Sequence, residues 1–212
     1  MAYSIARRSF IPFVRLFAKT IEGMENIPTD GPVILAANHL GLLDPVFLGA
    51  IYVQRTTKKL RFLVDTRHMY WKLLGQFLQP WTNTIPIRPT TSDSRRAAVE
   101  QGAQALQRGD SIGIFPEGRV NKATYLLPGR TGAVRISLLA GVRMIPVGIE
   151  NTNVRMLTII GRRMLNQTEG IAIRFGRPYS VAGNADDEQV VRRLTDELMN
   201  RIANLSGKPY VR

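Results

Sequence analysis

The chain contains no cysteine and only two histidines among its 212 residues. Without cysteine it can form no disulfide, no thiolate zinc site and no cysteine nucleophile, and two histidines are too few for a multi-histidine metal centre. The sequence therefore predicts no metal site. A chain of this length is expected to fold as one domain with a substantial core.

Acidic residues are also scarce: 16 Asp and Glu stand against 29 Lys and Arg, which gives a formal charge of +13. The hydrophobic fraction of 44% and the charged fraction of 21% are ordinary for a globular protein, which argues against disorder. A positive surplus of this size indicates a polyanionic partner. Composition alone leaves three classes open: nucleic acid, an anionic membrane surface and small phosphorylated substrates.

Common nucleotide and hydrolase motifs are missing or misplaced. The chain has no Walker A sequence, and no G-x-G-x-x-G follows a predicted strand. Residues 109–113 match the G-x-S-x-G pattern of serine hydrolases, but a helix is predicted before Ser111 and a strand after it. A nucleophile elbow needs the opposite order. We therefore interpret Ser111 as part of a helix-to-strand turn.

The first segment of the chain has no acidic residue before Glu22 and mixes cations with bulky apolar residues. Its apolar residues follow the three- and four-residue spacing of one helical face: Phe10, Phe13, Val14 and Phe17. We predict an amphipathic helix over residues 4–20, within an N-terminal segment 1–22 that lies in the interface of an anionic membrane. The alternative is a helix packed on the protein's own core.

This segment is not expected to span a bilayer. A span needs roughly 20 consecutive apolar residues, and this segment is interrupted by Arg7, Arg8, Arg15 and Lys19. A signal peptide would need an uninterrupted apolar stretch before a cleavage site, which the sequence does not show. We expect a peripheral or monotopic protein on the cytoplasmic side of a membrane.

After residue 22, short apolar runs alternate with helical patterns. Strands are predicted at residues 33–37, 60–64, 84–87, 112–115, 144–149, 156–160 and 171–175. Helices are predicted from Asp44, from Ser92 to about Arg108, and from near Asp186, the last with a core face of Val190, Leu194, Leu198, Ile202 and Leu205. Residues 23–212 are thus expected to form one α/β domain, with a mixed, largely parallel central sheet flanked by helices.

The segment after the first of these strands places His39 five residues before Asp44. On a helix these residues would lie about 140° apart, but they can meet across a turn that Gly41 allows. A carboxylate on one imidazole nitrogen fixes the tautomer and makes the other nitrogen a better general base. The alternative is that Asp44 only caps the next helix and His39 is a partly buried strand-end residue.

The string His39-x-x-x-x-Asp44 resembles the first motif of the glycerolipid acyltransferases, especially the lysophosphatidic acid (1-acyl-glycerol-3-phosphate) acyltransferases. Three further blocks resemble that family's motifs in order and spacing: residues 84–88, residues 115–119 with the Gly-rich stretch 127–133, and residues 145–148. Together the blocks cover about residues 30–150. The resemblance implies a glycerol-3-phosphate acyltransferase-like fold and transfer of an acyl group to a hydroxyl.

Charged residues of these blocks follow predicted strands, where ligands of open α/β sheets usually bind. We assign Arg88 and Arg119 to the acceptor phosphate, because a guanidinium engages two oxygens together. Glu117 is expected to orient one of these arginines or an acceptor hydroxyl, and Gly118 to let backbone N–H groups approach the ligand. Two further cations could contact donor phosphates or be surface charges: Lys122 and Arg130.

Two positions depart from the family's usual pattern. Gly41 replaces the serine that usually lies two residues after the histidine. Arg119 directly follows the glycine of Phe-Pro-Glu-Gly, and Val120 takes the usual arginine position. Phe-Pro-Glu-Gly followed by a basic residue, Val and Asn, here Arg119-Val120-Asn121, is also similar to the tafazzin-like branch, which moves acyl chains between phospholipids. The acceptor is therefore less defined than the reaction class.

The resemblance implies an O-acyltransferase that esterifies a lysophospholipid, foremost 1-acyl-glycerol-3-phosphate to phosphatidic acid, with His39 as general base and no covalent acyl-enzyme. Acyl-CoA or acyl-carrier protein would be the donor, no cofactor is implied, and no nucleic acid is expected as a partner. Another lysophospholipid or a transacylase reaction is the alternative. A non-catalytic basic module that binds membranes or nucleic acid is the alternative from a different class, supported only by the charge.

Overall fold

The computed structural model describes residues 17–41, 43–56, 58, 60–66, 84–88, 90–150 and 170–212. Two predicted elements lie outside these residues: positions 4–16 of the amphipathic helix and the strand at 156–160. Within the described ranges, no helix is both long enough and apolar enough to cross a membrane.

Seven strands form one mixed sheet with the order β1-β7-β6-β2-β5-β3-β4. Every neighbouring pair is parallel except β6 and β7, which are antiparallel. The predicted mixed, largely parallel sheet is therefore confirmed. The strands are β1 (Ala18–Glu22), β2 (Ile34–Ala37), β3 (Leu60–Asp65), β4 (Ile85–Ile87), β5 (Ser111–Ile114), β6 (Met144–Glu150) and β7 (Ile171–Phe175).

Helices cover both faces of this sheet. Successive side chains of a strand point to opposite faces, so neighbouring residues pack in different cores. Along β2, Leu35 packs in one core with residues of the first helix, whereas Ile34 packs in a second core with the other three helices. The molecule therefore has three layers. The helices are α1 (Asp44–Thr56), α2 (Ser92–Gln107), α3 (Gly132–Ala140) and α4 (Glu188–Ser206), with a short 3-10 turn at Met24–Asn26.

The strand β1 replaces part of the predicted amphipathic helix. Residues 18–20 belong to this strand, and its backbone pairs with the exposed edge of β7. The helix prediction is therefore wrong at these positions, and residues 18–22 belong to the sheet. The apolar spacing of so short a segment does not distinguish strand from helix, and the partner strand lies about 150 residues away along the chain.

Helix starts are close to the predicted positions, with small corrections. Thr91, and not Ser92, caps α2: its hydroxyl accepts from the N–H of Ser94, whose side chain in turn accepts from the N–H of Thr91. Asp187 caps α4, because its side chain accepts hydrogen bonds from the N–H groups of Gln189 and Val190. The buried face of α4 includes Val191, whereas two residues of the predicted core face are only half-buried: Val190 and Leu205.

Ser111 lies where the sequence predicted it, between a helix and a strand. It begins β5 shortly after α2 ends, and it is buried. Its Oγ accepts hydrogen bonds from the N–H of Val33 and from the hydroxyl of Tyr52. The serine therefore joins the start of β5 to the residue before β2 and to α1, and the hydrolase motif is a structural turn.

The pairing of β2 with β5 positions the chemically interesting residues. Ala36 lies opposite Ile114 in this parallel pair. His39 and Glu117 each follow that pair by three residues, so the register carries both to the same edge of the sheet. This is the carboxyl edge, where ligands of such sheets bind.

The backbone of α4 packs closely on β6 at Gly148. A Cβ at this position would lie 2.3 Å and 2.5 Å from backbone atoms of Leu205. We expect Gly148→Ala to lower the free energy of unfolding by about 1–3 kcal/mol, because the helix backbone has to move away.

Gly132→Ala is the matched control, because a Cβ there meets no atom within 4 Å. It should leave stability unchanged or raise it by up to about 1 kcal/mol, since alanine favours the helix. Denaturant titration of both variants measures the difference. Equal stability of the two variants would contradict this packing.

Candidate active site

His39 and Asp44 meet across the turn between β2 and α1. The Nδ1 of His39 lies 2.8 Å from Oδ2 of Asp44, whose side chain is fully buried. The same oxygen accepts from the N–H groups of Leu40 at 2.7 Å and Gly41 at 2.8 Å. The predicted contact is confirmed, and the hydrogen bonds of Oδ2 go to residues of the turn before α1.

The imidazole of His39 is held in one orientation. Its ring stacks on Phe115 with a centroid distance of 4.1 Å and an interplanar angle of 17°. Phe115 in turn stacks near Phe62. With Nδ1 donating to the carboxylate, Nε2 carries the lone pair, and it has no hydrogen-bond partner among the described residues. One nitrogen is thus fixed by Asp44 while the other can accept a proton.

The buried carboxylate of Glu117 connects three segments of the chain. Oε1 accepts from the backbone N–H of His39 at 3.1 Å. Oε2 accepts from the side-chain amide of Asn121 at 2.5 Å and from the N–H of Leu127 at 3.0 Å. Among the described residues, no arginine donates a hydrogen bond to Glu117, so the expected pairing with Arg88 or Arg119 is not present. An acceptor hydroxyl as its partner stays a prediction.

Asn121 is a site residue that the sequence analysis missed. Its N–H donates to the carbonyl of His39 at 2.7 Å, and its side chain donates to Glu117 and to the carbonyl of Tyr125. Together with Glu117 it therefore holds both backbone groups of His39. Its position after Arg119-Val120 in the tafazzin-like pattern was the available signal, but an asparagine in a loop is usually interpreted as a turn residue.

The C-terminal tail supports the same loop and was also missed. The carbonyl of Pro209 accepts from the N–H of Leu126 at 2.8 Å, and Nζ of Lys208 donates to the carbonyl of Ala123 at 2.5 Å. Burial lowers the pKa of Lys208, while the negative charge of Glu117 acts in the opposite direction. The tail is about 85 residues from this loop in sequence, so only the folded chain shows the contact.

Gly118 and Arg130 lie against each other beside Glu117. Gly118 has a φ of 69°, and a Cβ on it would lie 2.4 Å from Nε of Arg130. Its own N–H donates to the carbonyl of Phe115 within the turn. Glycine is therefore required by backbone conformation and by the close approach of the guanidinium. The expected role of Gly118 toward a ligand stays a prediction.

The remaining predicted cations are exposed. Arg119 and Lys122 lie on the loop that follows Glu117. Arg88 follows β4 at the same sheet edge, three strands from β2, which is about 14 Å at ordinary strand spacing. Its Nε donates to the hydroxyl of Thr66 at 3.2 Å. The structure thus groups His39, Asp44, Glu117, Gly118 and Arg130, with the other three cations around them.

This arrangement suits proton transfer from a substrate hydroxyl. A histidine held by a carboxylate is a general base, and nearby cations can hold an anionic group. Ser111 lies at the opposite end of β5 with its hydroxyl engaged, so it is not positioned as a nucleophile for His39. Within the described ranges, no three residues among His, Cys, Asp and Glu cluster as metal ligands would.

Comparison with known proteins identifies the family. Residues 19–150 match the model of the family described as Acyltransferase. The chain belongs to the acyltransferase family. The matched range contains His39, Asp44, Glu117 and the cations discussed above, so the geometry described here is that of a member of this family.

Curated relatives carry specific names. The chain is 29% identical over 140 residues to the 1-acyl-sn-glycerol-3-phosphate acyltransferase of Borreliella burgdorferi, covering 63% of this chain and 51% of that protein. It is 26% identical over 164 residues to the chloroplastic 1-acyl-sn-glycerol-3-phosphate acyltransferase LPAT1 of Arabidopsis thaliana, covering 77% and 41%. The chain therefore spans about half the length of these relatives.

A solved structure shares the fold. The crystal structure of the 1-acyl-sn-glycerophosphate (LPA) acyltransferase PlsC from Thermotoga maritima aligns with a TM-score of 0.63. The alignment covers 94% of this chain and 75% of that one at 22% sequence identity. The layered α/β architecture predicted from the sequence is thus shared with this acyltransferase.

Glu117→Gln tests the buried carboxylate. A glutamine would turn an N–H₂ group toward one of the donors that now face an oxygen, so we expect the free energy of unfolding to fall by about 2–3 kcal/mol. Glu100→Gln on α2, where the carboxylate is 53% exposed and pairs with Arg96, is the control and should change stability by less than about 0.5 kcal/mol. Denaturant titration compares them, and equal effects would contradict the role assigned to Glu117.

Proposed function

We propose that this chain is an O-acyltransferase that transfers a fatty acyl group from an acyl thioester to the free hydroxyl of 1-acyl-glycerol-3-phosphate, giving phosphatidic acid. The observation that carries the proposal is the 2.8 Å contact between His39 and the fully buried carboxylate of Asp44. The names of the relatives support the acceptor. Acyl-CoA or acyl-carrier protein serves as the donor.

His39 acts as the general base in this mechanism. Its Nε2 takes the proton from the acceptor hydroxyl while the oxygen forms a C–O bond to the thioester carbonyl. Collapse of the tetrahedral intermediate breaks the C–S bond, and the imidazolium returns the proton to the departing thiolate. Asp44 stabilises the imidazolium through Nδ1. No covalent acyl-enzyme forms in this reaction.

Cations around the histidine hold the charged parts of the substrates. Arg88 and Arg119 bind the acceptor phosphate, and both are exposed at the carboxyl edge of the sheet. Lys122 and Arg130 contact phosphates of the donor, and Gly118 keeps the backbone close to the ligand. Glu117 is a positioning residue, because its hydrogen bond goes to the backbone of His39.

The proposed site of action is an anionic membrane surface, because both substrates carry lipid tails. The N-terminal segment, with residues 4–16 as an interfacial helix, would bring the protein there as a peripheral or monotopic protein on the cytoplasmic side. Phe17, predicted on the membrane face, is instead buried in the core and contacts Phe47 of α1. Residues 18–212 would form the catalytic domain, since β1 belongs to the sheet.

A transacylase is the second candidate. It is favoured by Asn121, which follows Arg119-Val120 as in the tafazzin-like pattern and holds both Glu117 and the carbonyl of His39. Incubation with lysophospholipid and either acyl-CoA or a phospholipid donor separates the two reactions. Thiol release that depends on lysophosphatidate supports the thioester reaction. Absence of transfer with every donor, together with tight DNA binding, would instead support a non-catalytic basic module.

His39→Ala tests the general base. We expect kcat to fall by about 10²–10⁴-fold, because the proton acceptor is lost. The backbone bonds of residue 39 to Glu117 and Asn121 remain available, so the variant should stay folded, with an unchanged circular dichroism spectrum. Gln104→Ala, on the exposed side of α2, is the control and should keep full activity. Turnover of His39→Ala near the wild-type rate would contradict the mechanism.

Arg88→Ala tests phosphate binding. We expect KM for lysophosphatidate to rise about tenfold, the size of one charge-assisted contact, with kcat less affected. An acceptor without phosphate, monoacylglycerol, should show no such difference between variant and wild type. Arg96→Ala removes an exposed arginine from α2 and serves as the control. The assignment of Arg88 is wrong if its variant raises KM equally for both acceptors.

A further inference from the structure

The loop formed by residues 119–125 exposes apolar side chains directly beside the catalytic site. Only four large hydrophobic residues in the described part of the chain are exposed, and two of them lie on this loop: Val120 at 42% and Tyr125 at 43%. Arg119 and Lys122 are exposed on the same loop. Its outer side therefore combines an aliphatic residue, an aromatic residue and two cations.

The inner side of the 119–125 loop is firmly held. Asn121 is only 4% exposed, and its Oδ1 accepts from the N–H of Ala123 while its own N–H donates to the carbonyl of His39. Lys208 donates to the carbonyl of Ala123. Because the backbone is already ordered, docking of the outer side chains would cost little conformational entropy.

The charge around the 119–125 loop has one sign. No Asp or Glu occurs between Glu117 and Glu150, and Glu117 itself is buried. Three cations lie on or beside the loop: Arg119, Lys122 and Arg130, whose guanidinium lies against Gly118. Cations next to an aromatic and an aliphatic residue match the interface of an anionic bilayer, where the charges meet headgroups and the rings lie at the headgroup level.

We infer that the 119–125 loop docks onto an anionic lipid surface and places His39 at that surface. Val120 and Tyr125 enter the interface, and the positive charge of Arg119 and Lys122, which bind substrate phosphates, attracts the anionic surface. This contact is distinct from the N-terminal amphipathic helix. It extends the proposed function, because a lipid acceptor could then reach Nε2 of His39 from the bilayer.

A labelling experiment reads the contact directly. Since the chain has no cysteine, Val120→Cys introduces a single site for an environment-sensitive fluorophore. Leu139→Cys is the control: Leu139 is 48% exposed but lies near the end of α3, shortly before β6 begins at the opposite edge of the sheet. With vesicles of phosphatidylglycerol and phosphatidylcholine, the fluorescence emission of the label at position 120 should shift to shorter wavelength, and iodide should quench it less. The label at position 139 should show neither change.

The inference would be overturned if iodide still fully quenched the label at position 120 in the presence of anionic vesicles. It would also be overturned if the labels at positions 120 and 139 responded equally. Vesicles of phosphatidylcholine alone should produce a weaker response at position 120. An equal response to neutral and anionic vesicles would overturn the part assigned to the cations.

A binding experiment separates docking from catalysis. The double variant Val120→Ser with Tyr125→Ser should lower partition onto anionic vesicles about tenfold, because two apolar contacts are lost, whereas Leu139→Ser should stay within about twofold of wild type. Turnover of vesicle-bound lysophosphatidate should fall with partition, and turnover of a short-chain, water-soluble acceptor should not. Wild-type partition by the double variant would overturn docking. If the wild-type protein turned over neither acceptor, the proposed function would be wrong, but the measured partition onto vesicles would still test docking.

Discussion

The buried carboxylate of Glu117 is the contact on which the arrangement of the site depends. It accepts from the backbone of His39, the side chain of Asn121 and the backbone of Leu127. Two of these donors lie on the loop after β5 and one lies at the end of β2. A carboxylate can accept several hydrogen bonds at once, so one side chain holds three chain segments that have no regular secondary structure. Two further contacts join the same segments: the hydrogen bond from the N–H of Asn121 to the carbonyl of His39 and the stacking of His39 on Phe115.

Asp44 plays the complementary part on the other side of the histidine. Its Oδ2 accepts from Nδ1 of His39 and from two backbone N–H groups of the turn, so the acid that orients the ring also closes the turn that carries the ring. Backbone and imidazole are thus fixed by different carboxylates. Such pre-organisation is what general-base catalysis requires, since the proton acceptor then needs no rearrangement when the substrate arrives.

The positive charge of the chain has several uses in this arrangement. Some arginines take part in structural ion pairs, as Arg174 does with Glu22 and Glu150 at the β1-β7-β6 side of the sheet. Others, such as Arg88 and Arg119, are exposed at the carboxyl edge. At Asp196 burial would raise the pKa, but hydrogen bonds from Tyr210 and Arg192 and the charges of Arg192 and Arg212 hold it below its ordinary value. The scarcity of acids leaves the chain with a net charge of +13, which attracts anionic surfaces.

The sequence by itself determined the strands β2 to β7, the mixed, largely parallel architecture and the pairing of His39 with Asp44, because hydrophobic periodicity and a short turn are local properties. It also excluded Ser111 as a nucleophile from the order of helix and strand alone. Only the tertiary structure decided that residues 18–22 join the sheet, that Glu117 binds backbone and not an arginine, and that Lys208 supports the loop after β5. Each of these is a contact between segments far apart in the chain, and the partner is chosen by register and packing, which no local pattern encodes.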